Sequence, residues 1–525
     1  MRRLLSILIL SAGLLRPAQV TLTVLATTDL HGNLVPVDYV TGAAAPHGLA
    51  KIATLIRAVR AENPNTILID CGDTIQGTPL EDVYQSALRS GASSPGEPAV
   101  QDPMMRAMNL LGYDAMTLGN HEFNAGLVNL DRARHDARFP WISANTTVAK
   151  PGAERPFAPF IVKTVAGIKV AVIGVTTPVI PLWEKPENLG AYRFTSPVEA
   201  VQLAVAKLRR DQQPDLIIVA AHAGLGRNLQ TNAPADATEN FVYELAQQAP
   251  DVDAIIFGHS HSQLEGTLVG KVLLVQPKNA GASLARIDFT FDPQLVSKRS
   301  RLIPVTAQTV AAPDLMELAQ PYEAAAQKYL NTPVATSARE LSAARGREQD
   351  TAVVDAIQRV QLYYAKADVS FTALFNPQVR IPRGQVTVRQ IAALYPYDNE
   401  LYAIEGNGQM VKDALENAAR YFSKKGMPGF NYDMAEGVDY EIDPARPEGD
   451  RVLNLRWKGK PLAPSQKLRI AINNYRAGGA GGYEMFRPAK ILWRSGDNIR
   501  ELVIRYYTDR KVIPTETTNN WKLKS

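Results

Sequence analysis

Short apolar runs alternate with amphipathic segments along the first half of the chain, from Leu22 to about Phe291. The runs are rich in β-branched residues and are bounded by Gly, Asp or Asn, a pattern typical of strands buried on both faces. They are Leu22–Ala26, Thr66–Ile69, Asp114–Thr117, Val170–Val175, Leu216–Ala220, Ala254–Phe257 and Val272–Val275. Between them, Gly48–Arg60 and Val198–Arg210 carry Ala, Leu and Val at helical spacing. The alternation predicts a layered α/β domain, with sheets flanked by helices, over residues 21–311.

A second, smaller unit is predicted beyond a helical segment rich in Ala, Glu, Gln and Leu. This segment is Ala312–Asn331, and Pro333 ends it. Residues 312–334 are therefore predicted to form a linker helix, and residues 335–525 a C-terminal α/β domain. The C-terminal part begins with a helical stretch, Asp350–Ala365, and contains a glycine-rich loop, Gly478–Gly482.

The N-terminus has the pattern of an export signal. Arg2 and Arg3 precede an apolar stretch, Leu4–Leu15, and Ala18 offers a small residue for cleavage. This favours a signal peptide over residues 1–20 and an exported protein, periplasmic or secreted. The alternative is an ordinary buried N-terminal segment. The stretch is too short to span a bilayer, which takes about 20 apolar residues, and no other segment is long and apolar enough.

Composition and charge narrow the range of functions. The net charge of +5 comes from 57 basic and 52 acidic residues without any Lys/Arg-rich run, so no nucleic-acid polymer is expected as a partner. The single cysteine, Cys71, excludes an intrachain disulfide and a paired-cysteine zinc site. Cys71 lies within an apolar run and is expected to be a small buried hydrophobic residue. Nothing in the sequence indicates the oligomeric state.

Polar residues with catalytic chemistry follow five of the predicted strands. In an open α/β sheet, ligands bind outside the carboxyl ends of the strands, so these residues should meet at one edge. The segments are Asp29-Leu30-His31, Gly72-Asp73, Gly119-Asn120-His121-Glu122, His222 and Gly258-His259-Ser260-His261. Five of the seven histidines lie in these segments, and only His47 and His135 lie elsewhere.

The residue types indicate a centre with two metal ions. Imidazole nitrogens and carboxylate oxygens suit divalent Mn, Zn, Co or Fe, and no thiolate is available. Two such ions about 3.5–4 Å apart can share a bridging carboxylate, activate a water molecule and clamp a phosphate ester. His259 and His261 would face opposite sides of a regular strand, but in a loop each can reach a different ion.

These segments, in this order, resemble the signature of the calcineurin-like metallophosphoesterases: D-x-H, G-D, G-N-H-E, a single H, and G-H-x-H. Beyond them, the chain resembles the 5′-nucleotidase family, in which a C-terminal domain supplies nucleotide-binding residues. The resemblance implies that Asp29, His31 and His261 hold one metal and that Asn120, His222 and His259 hold the other. It also implies that Asp73 bridges the two metals and that His121 approaches the phosphate as a hydrogen-bond or proton donor.

One position departs from the usual pattern of 5′-nucleotidases. The residue three positions after His121 is usually an aspartate, and here it is Asn124. An amide can orient the imidazole but cannot stabilise its charged form, which favours His121 as a hydrogen-bond donor rather than an acid. Longer strings resemble a bacterial branch of the family, the bifunctional 2′,3′-cyclic-nucleotide 2′-phosphodiesterase/3′-nucleotidases. They are Thr28–Asn33, Gly72–Gly77, Gly119–Asn124 and Tyr395–Asn399.

The resemblance also implies a nucleoside site in the C-terminal domain. Tyr397 and Tyr475 match the aromatic pair that sandwiches the base in the family, and Asn399 would form a hydrogen bond with the nucleoside. Rings on both faces of a base contribute roughly 1–3 kcal/mol of stacking. Three arginines are candidates to hold phosphate or ribose: Arg347, Arg380 and Arg383. Near them, the segment Asn376–Arg380 is about one residue shorter than the family pattern.

The leading hypothesis is hydrolysis of 2′,3′-cyclic nucleotides to 3′-nucleotides, and of 3′-nucleotides to nucleoside and phosphate. The nearest alternative is a 5′-nucleotidase or nucleotide-sugar hydrolase that uses the same metals. A catalytically dead nucleotide-binding protein is a remote alternative, because every expected metal ligand is present. The family resemblance further implies a closing or rotating motion of the two domains about the linker.

Overall fold

The computed structural model describes residues 19–90, 101–149, 156–229, 231, 233–234, 238–397, 399–423 and 427–524 of the chain. Residues 1–18 of the predicted signal peptide, and Asp398 of the Tyr395–Asn399 string, lie outside the described residues. No helix within these ranges combines the length and apolar character needed to cross a bilayer.

Two large sheets form the N-terminal half, and each has six strands among the described residues. The first sheet has the spatial order Gln294–Pro304, Ser283–Asp292, Val20–Thr27, Thr66–Asp70, Ala115–Thr117 and Trp141–Ile142. The second has the order Leu264–Val269, Val272–Gln276, Ala254–Phe257, Leu216–His222, Ile168–Thr176 and Phe160–Val165. Every predicted apolar run thus lies in a strand of one of the two sheets. A separate two-stranded ribbon pairs Thr146–Val148 with Tyr192–Phe194.

The two sheets pack face to face, with helices on their outer faces. Leu22 and Val24 of the first sheet share a fully buried cluster with Val172 and Ile218 of the second. Leu25, which points to the other face of its strand, packs instead in a cluster with the helices. This burial on both faces explains why the strands are apolar runs without polar alternation. The predicted α/β architecture is confirmed, as four layers.

Local capping explains where several of the flanking helices begin. The side chain of Asp102 accepts a hydrogen bond from the Met105 amide, and a proline follows the cap. Ser196 caps the helix Pro197–Asp211 in the same way. The helices of the first outer layer are Leu49–Glu62, Pro79–Ser90, Pro103–Leu111 and Leu127–Asp136, and those of the second are Pro197–Asp211 and Val242–Gln248. Shorter turns are His121–Phe123, Ile180–Trp183 and Pro186–Leu189.

The predicted linker helix spans Pro313–Leu330. Leu315 and Ala319 on this helix pack in the core of the N-terminal half, whereas Leu330 at its end packs in the C-terminal core. The helix therefore lies along the first unit and leads into the second.

The C-terminal half is built around a five-stranded mixed sheet. Its order is Asp433–Glu436, Val369–Ala373, Lys467–Asn473, Glu400–Asn407 and Ile491–Asn498. Three smaller sheets accompany it. A three-stranded sheet has the order Gly384–Thr387, Pro333–Ser337 and Val512–Ile513, and a four-stranded sheet has the order Lys460–Pro461, Val452–Trp457, Asp439–Ile442 and Trp521–Leu523. A two-stranded sheet pairs Leu341–Ser342 with Arg380–Ile381. The helices are Ala352–Ala365, Val388–Ala392, Gly408–Ala419, Asn474–Ala477 and Ile499–Arg510, with 3₁₀ turns at Arg420–Phe422, Gly429–Asn431, Ala480–Gly482 and Glu484–Phe486.

Candidate dimetal site and nucleoside cavity

Parallel strands deliver the polar segments to one rim of the sandwich. Val20–Thr27 and Thr66–Asp70 run parallel in the first sheet, as do Leu216–His222 and Ala254–Phe257 in the second. Their carboxyl ends therefore lie at the same edge of each sheet. The side chains that follow them meet where these two edges adjoin.

Two groups of side chains converge at this rim with the geometry of metal ligands. Asp29, His31 and His261 form one group, and Asp73, His222 and His259 form the other. Within each group, the ligand atoms lie within 4.8 Å of one another. The amide oxygen of Asn120 adds to the second group, 3.2 Å from His222 Nε2. All seven residues that the sequence selects as ligands are thus brought together.

Asp73 lies between the two groups. Its Oδ2 is 3.0 Å from His222 Nε2 and 3.9 Å from His31 Nε2. Its Oδ1 accepts a hydrogen bond from the His121 amide at 2.8 Å. One carboxylate oxygen therefore faces both groups, as a bridging ligand requires.

The hydrogen bonds of two histidines fit the binding of cations. His31 Nδ1 lies 3.1 Å from the carbonyl oxygen of Gln76, and His222 Nδ1 lies 2.8 Å from that of Cys71. A carbonyl only accepts, so Nδ1 carries a proton in both rings, and Nε2 is the nitrogen that faces the rim and can bind a cation. A set of oxygen and imidazole ligands oriented in this way suits divalent metal ions.

Burial and charge shift the pKa values at the rim in opposite directions. Burial lowers the pKa of His31 to about 4, which favours the neutral ring. Burial alone would raise the pKa of Asp73, but His222 and His121 outweigh it and hold this pKa well below its usual range. Burial lowers the pKa of His222, yet the carboxylates of Asp73 and Asp29 raise it to about 10. Surroundings that stabilise a proton on His222 would also stabilise a metal cation in its place.

Five of the seven candidate ligands have left-handed backbone conformations, which non-glycine residues seldom adopt. The φ angles are 50° at Asp29, 47° at His31, 58° at Asp73, 68° at His259 and 51° at His261. Each such conformation costs of the order of 1–3 kcal/mol unless the surroundings impose it. All five residues lie in the loops that follow the strands, where their side chains meet at the rim.

Two of the motif glycines are required by close approach. A Cβ atom on Gly119 would lie 2.1 Å from Asp73 Oδ1, and one on Gly258 would lie 2.4 Å from Asp29 Oδ2. Neither distance is tolerable, because real Cβ atoms essentially never approach another heavy atom this closely. The glycines therefore let neighbouring loops approach the two carboxylates.

Glu122 holds the loops behind the rim together. Its carboxylate is fully buried and accepts hydrogen bonds from the backbone amides of Asp73 at 2.8 Å, Thr74 at 2.6 Å and Gly119 at 2.5 Å. Hydrogen bonds to a charged acceptor are stronger than neutral ones. The glutamate of the G-N-H-E motif thus has a structural role in this chain.

His121 and Asn124 lie at the edge of the rim as a hydrogen-bonded pair. His121 Nδ1 is 2.5 Å from Asn124 Oδ1, and its Nε2 is 3.9 Å from Asp73 Oδ2. The amide nitrogen of Asn124 donates to Glu184 Oε2 at 2.5 Å. Glu184 stands in the connection between two short helices and belongs to none of the motifs, so no sequence pattern selects it.

The C-terminal half closes a cavity of about 220 Å³ over this rim. Asn120, His121 and His259 line it on one side, and Tyr397, Asn399 and Tyr475 line it on the other. The two tyrosines are 47% and 43% exposed, although tyrosines of this half such as Tyr395 and Tyr483 are fully buried. Exposed rings facing a polar rim are the arrangement expected for a ligand with an aromatic group.

Comparison with known proteins matches both halves of the chain. Residues 22–263 match the calcineurin-like phosphoesterase family, and residues 325–488 match the 5′-nucleotidase C-terminal domain. The 2′,3′-cyclic-nucleotide 2′-phosphodiesterase/3′-nucleotidase of Salmonella typhimurium is 30% identical, over 98% of this chain and 90% of that protein. The chain belongs to the 5′-nucleotidase family of calcineurin-like phosphoesterases.

Two further proteins extend the likeness over almost the whole chain. The trifunctional nucleotide phosphoesterase protein YfkN of Bacillus subtilis is 28% identical over 96% of this chain, which spans 39% of that longer protein. A Staphylococcus aureus protein solved in complex with alpha-ketoglutarate superposes with a TM-score of 0.82 at 26% identity, covering 96% of this chain and 100% of that one. The family predicted from the motifs is confirmed, and its phosphoesterase fold implies divalent metal ions.

Tyr475 is supported from behind by the residue that follows it. The guanidinium of Arg476 is buried and forms two hydrogen bonds with the carboxylate of Asp433, at 2.9 and 2.8 Å. It also lies 5.4 Å from the centre of the Tyr475 ring. A charge held in this way fixes the backbone of the short helix that presents the tyrosine.

None of the three arginines selected from the family pattern lines this cavity. Arg347 Nη2 donates to the carbonyl oxygen of Leu374 at 2.8 Å, and Arg380 pairs with Glu340 on the surface at 2.8 Å. Arg383 is exposed. A substrate-binding role for Arg347, Arg380 and Arg383 stays a prediction for this member of the family.

Two residues outside the motifs contact His259. Glu239 Oε1 lies 2.7 Å from His259 Nε2, and the Trp183 ring stacks on the imidazole with centroids 5.7 Å apart. Both also line the cavity. Trp183 ends the short helix Ile180–Trp183 and Glu239 stands in a connecting segment; neither belongs to a motif, so no sequence pattern selects them.

Proposed function

We propose that this chain is a dimetal hydrolase that cleaves 2′,3′-cyclic nucleotides to 3′-nucleotides, and 3′-nucleotides to nucleoside and phosphate. The observation that carries the proposal is the shared cavity, which is lined by two candidate metal ligands, Asn120 and His259, and by two exposed tyrosines. A nucleotide has a phosphate for one side of such a cavity and an aromatic base for the other. The names of the relatives from Salmonella and Bacillus support the same substrate class.

The proposed ligand sets follow the two groups at the rim. Asp29, His31 and His261 would hold one ion, Asn120, His222 and His259 the other, and Asp73 would contact both. Bound divalent ions would lower the pKa of a water molecule and neutralise the charge on the phosphoryl oxygens. Mn, Zn, Co and Fe all accept ligands of this type, so the donor set leaves the choice among them open.

His121 is proposed to assist at the phosphate. Its Nε2 faces the rim beside Asp73, and the bond between Nδ1 and Asn124 fixes the plane of the ring. The partner is an amide, which favours a hydrogen-bonding role for the ring over a role as a strong acid.

The nucleoside is proposed to bind between Tyr397 and Tyr475. Stacking on both faces of the base contributes without reading its hydrogen-bonding edge, so different bases should be accepted. Asn399, beside Tyr397, would form a hydrogen bond with the base or the ribose.

Rates on three substrates test the proposal. With Mn²⁺ or Co²⁺ added, 2′,3′-cyclic AMP and 3′-AMP should be hydrolysed with higher kcat/KM than 5′-AMP, and a chelator should abolish all three activities. A preference for 5′-AMP would instead favour the alternative, a 5′-nucleotidase or nucleotide-sugar hydrolase. No hydrolysis with any of the four metals would contradict an enzymatic function.

Export to the periplasm or the medium is also proposed. It rests on the sequence alone, on Arg2 and Arg3 before the apolar stretch Leu4–Leu15. N-terminal sequencing of the protein recovered from a periplasmic extract should find a chain that begins near Ala18. An intact N-terminus in the cytoplasmic fraction would contradict it.

A further inference from the structure

A chain of hydrogen bonds extends from His121 away from the rim. His121 Nδ1 contacts Asn124 Oδ1, and Asn124 Nδ2 contacts Glu184 Oε2, both at 2.5 Å. Asn188 reinforces the chain, because its side chain donates to Glu184 Oε1 at 2.9 Å and to the carbonyl oxygen of Asn124 at 3.1 Å. Glu184 thus connects to the ring through one intervening amide.

Glu184 is a buried acceptor of several hydrogen bonds. It is 8% exposed, and its Oε1 accepts from the backbone amide of Lys185 at 2.7 Å as well as from Asn188. With Asn124 on Oε2, three N–H donors converge on one carboxyl group. The carboxyl oxygens of Glu184 are the acceptors in all three contacts, and the N–H groups are the donors.

This carboxylate determines which way the amide of Asn124 faces. Only the NH₂ group of Asn124 can donate to Glu184, so the amide oxygen must point to His121. An oxygen there requires a proton on His121 Nδ1, which directs the lone pair or second proton of Nε2 towards the rim. Without an acceptor at position 184, either orientation of the amide would be allowed.

We propose that Glu184 is a positioning residue that sets the tautomer of His121 through Asn124. It supplies, one amide further away, the carboxylate that 5′-nucleotidases usually place directly beside this histidine. The expected effect of Glu184 on catalysis rests on the proposed function. The hydrogen bonds themselves do not depend on it.

The same geometry couples positions 124 and 184 by charge. An aspartate at 124 would place a carboxylate oxygen where the Asn124 nitrogen now lies, 2.5 Å from Glu184 Oε2. Two carboxylates at that distance cannot both be ionised and keep the contact. An aspartate at 124 is compatible only with a neutral donor at 184, so the chain should accept one carboxylate at either position but not two.

A four-member set of variants tests this coupling: the wild type, Glu184→Gln, Asn124→Asp and the double variant. Each single change should lower kcat on 3′-AMP by about 10- to 100-fold with little change in KM, by analogy with the range typical for hydrogen-bond partners of metal ligands. The double variant should be more active than either single variant, because the new amide at position 184 can donate to the new carboxylate at position 124. The matched control, Glu187→Gln, changes an exposed glutamate of the neighbouring helix and should have wild-type kcat.

Two results would overturn the proposal: a Glu184→Gln variant with wild-type kcat, or a double variant no more active than the better of the two single variants. Thermal melting of all variants identifies any variant that has lost its fold. Recovery of activity in the double variant would show that the single variants do not lose activity through unfolding.

The ring itself gives a readout independent of turnover. In the Zn²⁺-loaded protein, ¹⁵N shifts of His121, assigned by comparison with His121→Ala, should show the Nδ1–H tautomer in the wild type and a mixture in Glu184→Gln. Identical shifts in the two proteins would contradict the inference even if no phosphate ester were hydrolysed. A wild type without activity but with the expected shifts would contradict only the proposed function.

Discussion

Asp73 is the residue on which the proposed centre depends most. Its Oδ2 faces ligands of both groups, at 3.0 Å from His222 and 3.9 Å from His31. The sequence could identify it only through its neighbours, because a Gly-Asp pair after a strand is common. The order of all five motifs, each at the end of an apolar run, allowed the rim side chains to be selected before the fold was known.

Replacement of Asp73 by asparagine should remove the shared ligand. Changes to outer partners of metal sites cost about 10- to 100-fold, so the loss of a direct ligand should lower kcat by more than about 100-fold. Metal analysis of the purified protein should show less than the wild-type content. Asp131→Asn, at an exposed position, is the matched control. Wild-type activity in Asp73→Asn would rule out the bridging role.

The tyrosine pair can be tested with and without a base on the substrate. Tyr397→Ala or Tyr475→Ala should raise KM for 3′-AMP by about 5- to 150-fold, the equivalent of 1–3 kcal/mol of stacking. Hydrolysis of a nitrophenyl phosphate ester, which carries no nucleobase, should change much less. Equal losses on both substrates would show that the rings support the fold rather than the nucleoside.

Other residues of the site could not be found from the sequence. Glu184, Glu239 and Trp183 line the cavity from connecting segments and from the end of a one-turn helix, none of which carries a motif. Their roles depend on distances between segments, such as the 2.5 Å contact from Asn124 to Glu184. Such contacts exist only once the sheets have placed the segments together.

At the scale of elements, the apolar runs identified the strands and the helical spacing identified the helices of the first half. The predicted Gly48–Arg60 corresponds to the helix Leu49–Glu62, and Val198–Arg210 to Pro197–Asp211. The ends differ by one or two residues because caps such as Ser196, rather than periodicity, decide where a helix begins. Two-residue strands such as Lys460–Pro461 carry no pattern at all.

The segment before the last strand, Trp521–Leu523, is hydrogen-bonded to buried carboxyl groups, which makes the stability of the fold depend on pH. Asp350 accepts from the amide of Asn519 at 2.6 Å, and Asp355 accepts from that of Thr518 at 3.0 Å. Burial, followed by the charge of Asp350, raises the pKa of Asp355 from 3.8 to about 8. The folded state therefore holds a proton that the unfolded chain releases at lower pH.

The sign of the effect follows from this raised pKa. The contribution of the Asp355 carboxyl group to the free energy of unfolding is complete below pH 3.8 and is lost as the pH rises towards about 8. Asp355→Asn keeps a neutral partner beside Asp350 at every pH. Urea unfolding from about pH 4 to about pH 8 should therefore show a shallower decline for the variant than for the wild type. Parallel declines in the free energy of unfolding of the two proteins would contradict a proton held on Asp355 in the folded state.

At the scale of the whole molecule, the sequence predicted α/β layers but not their number. A run buried on both faces fits a single sheet covered by helices as well as two stacked sheets. Only the shared burial of Leu22 with Val172 and Ile218 distinguishes the two arrangements. The contacts between the halves were likewise beyond prediction, because they join isolated surface residues.

Polar contacts join the two halves in the present arrangement. Arg500 pairs with Asp82 at 3.0 Å, and Arg389 donates to the carbonyl oxygen of Tyr39 at 2.6 Å. If turnover requires the domains to move, a cleavable bismaleimide that links Asp82→Cys to Arg500→Cys should slow it, and cleavage should restore it. The wild type is the control, because its single cysteine, Cys71, is buried. Unchanged turnover in the linked protein would show that the motion is unnecessary.

Anomalous diffraction from metal-soaked crystals at the metal absorption edge tests the central claim most directly. The account predicts two peaks about 3.5–4 Å apart. One should lie among Asp29, His31 and His261, the other among Asn120, His222 and His259, with Asp73 between them. A single peak, or peaks away from Asp73, would contradict it.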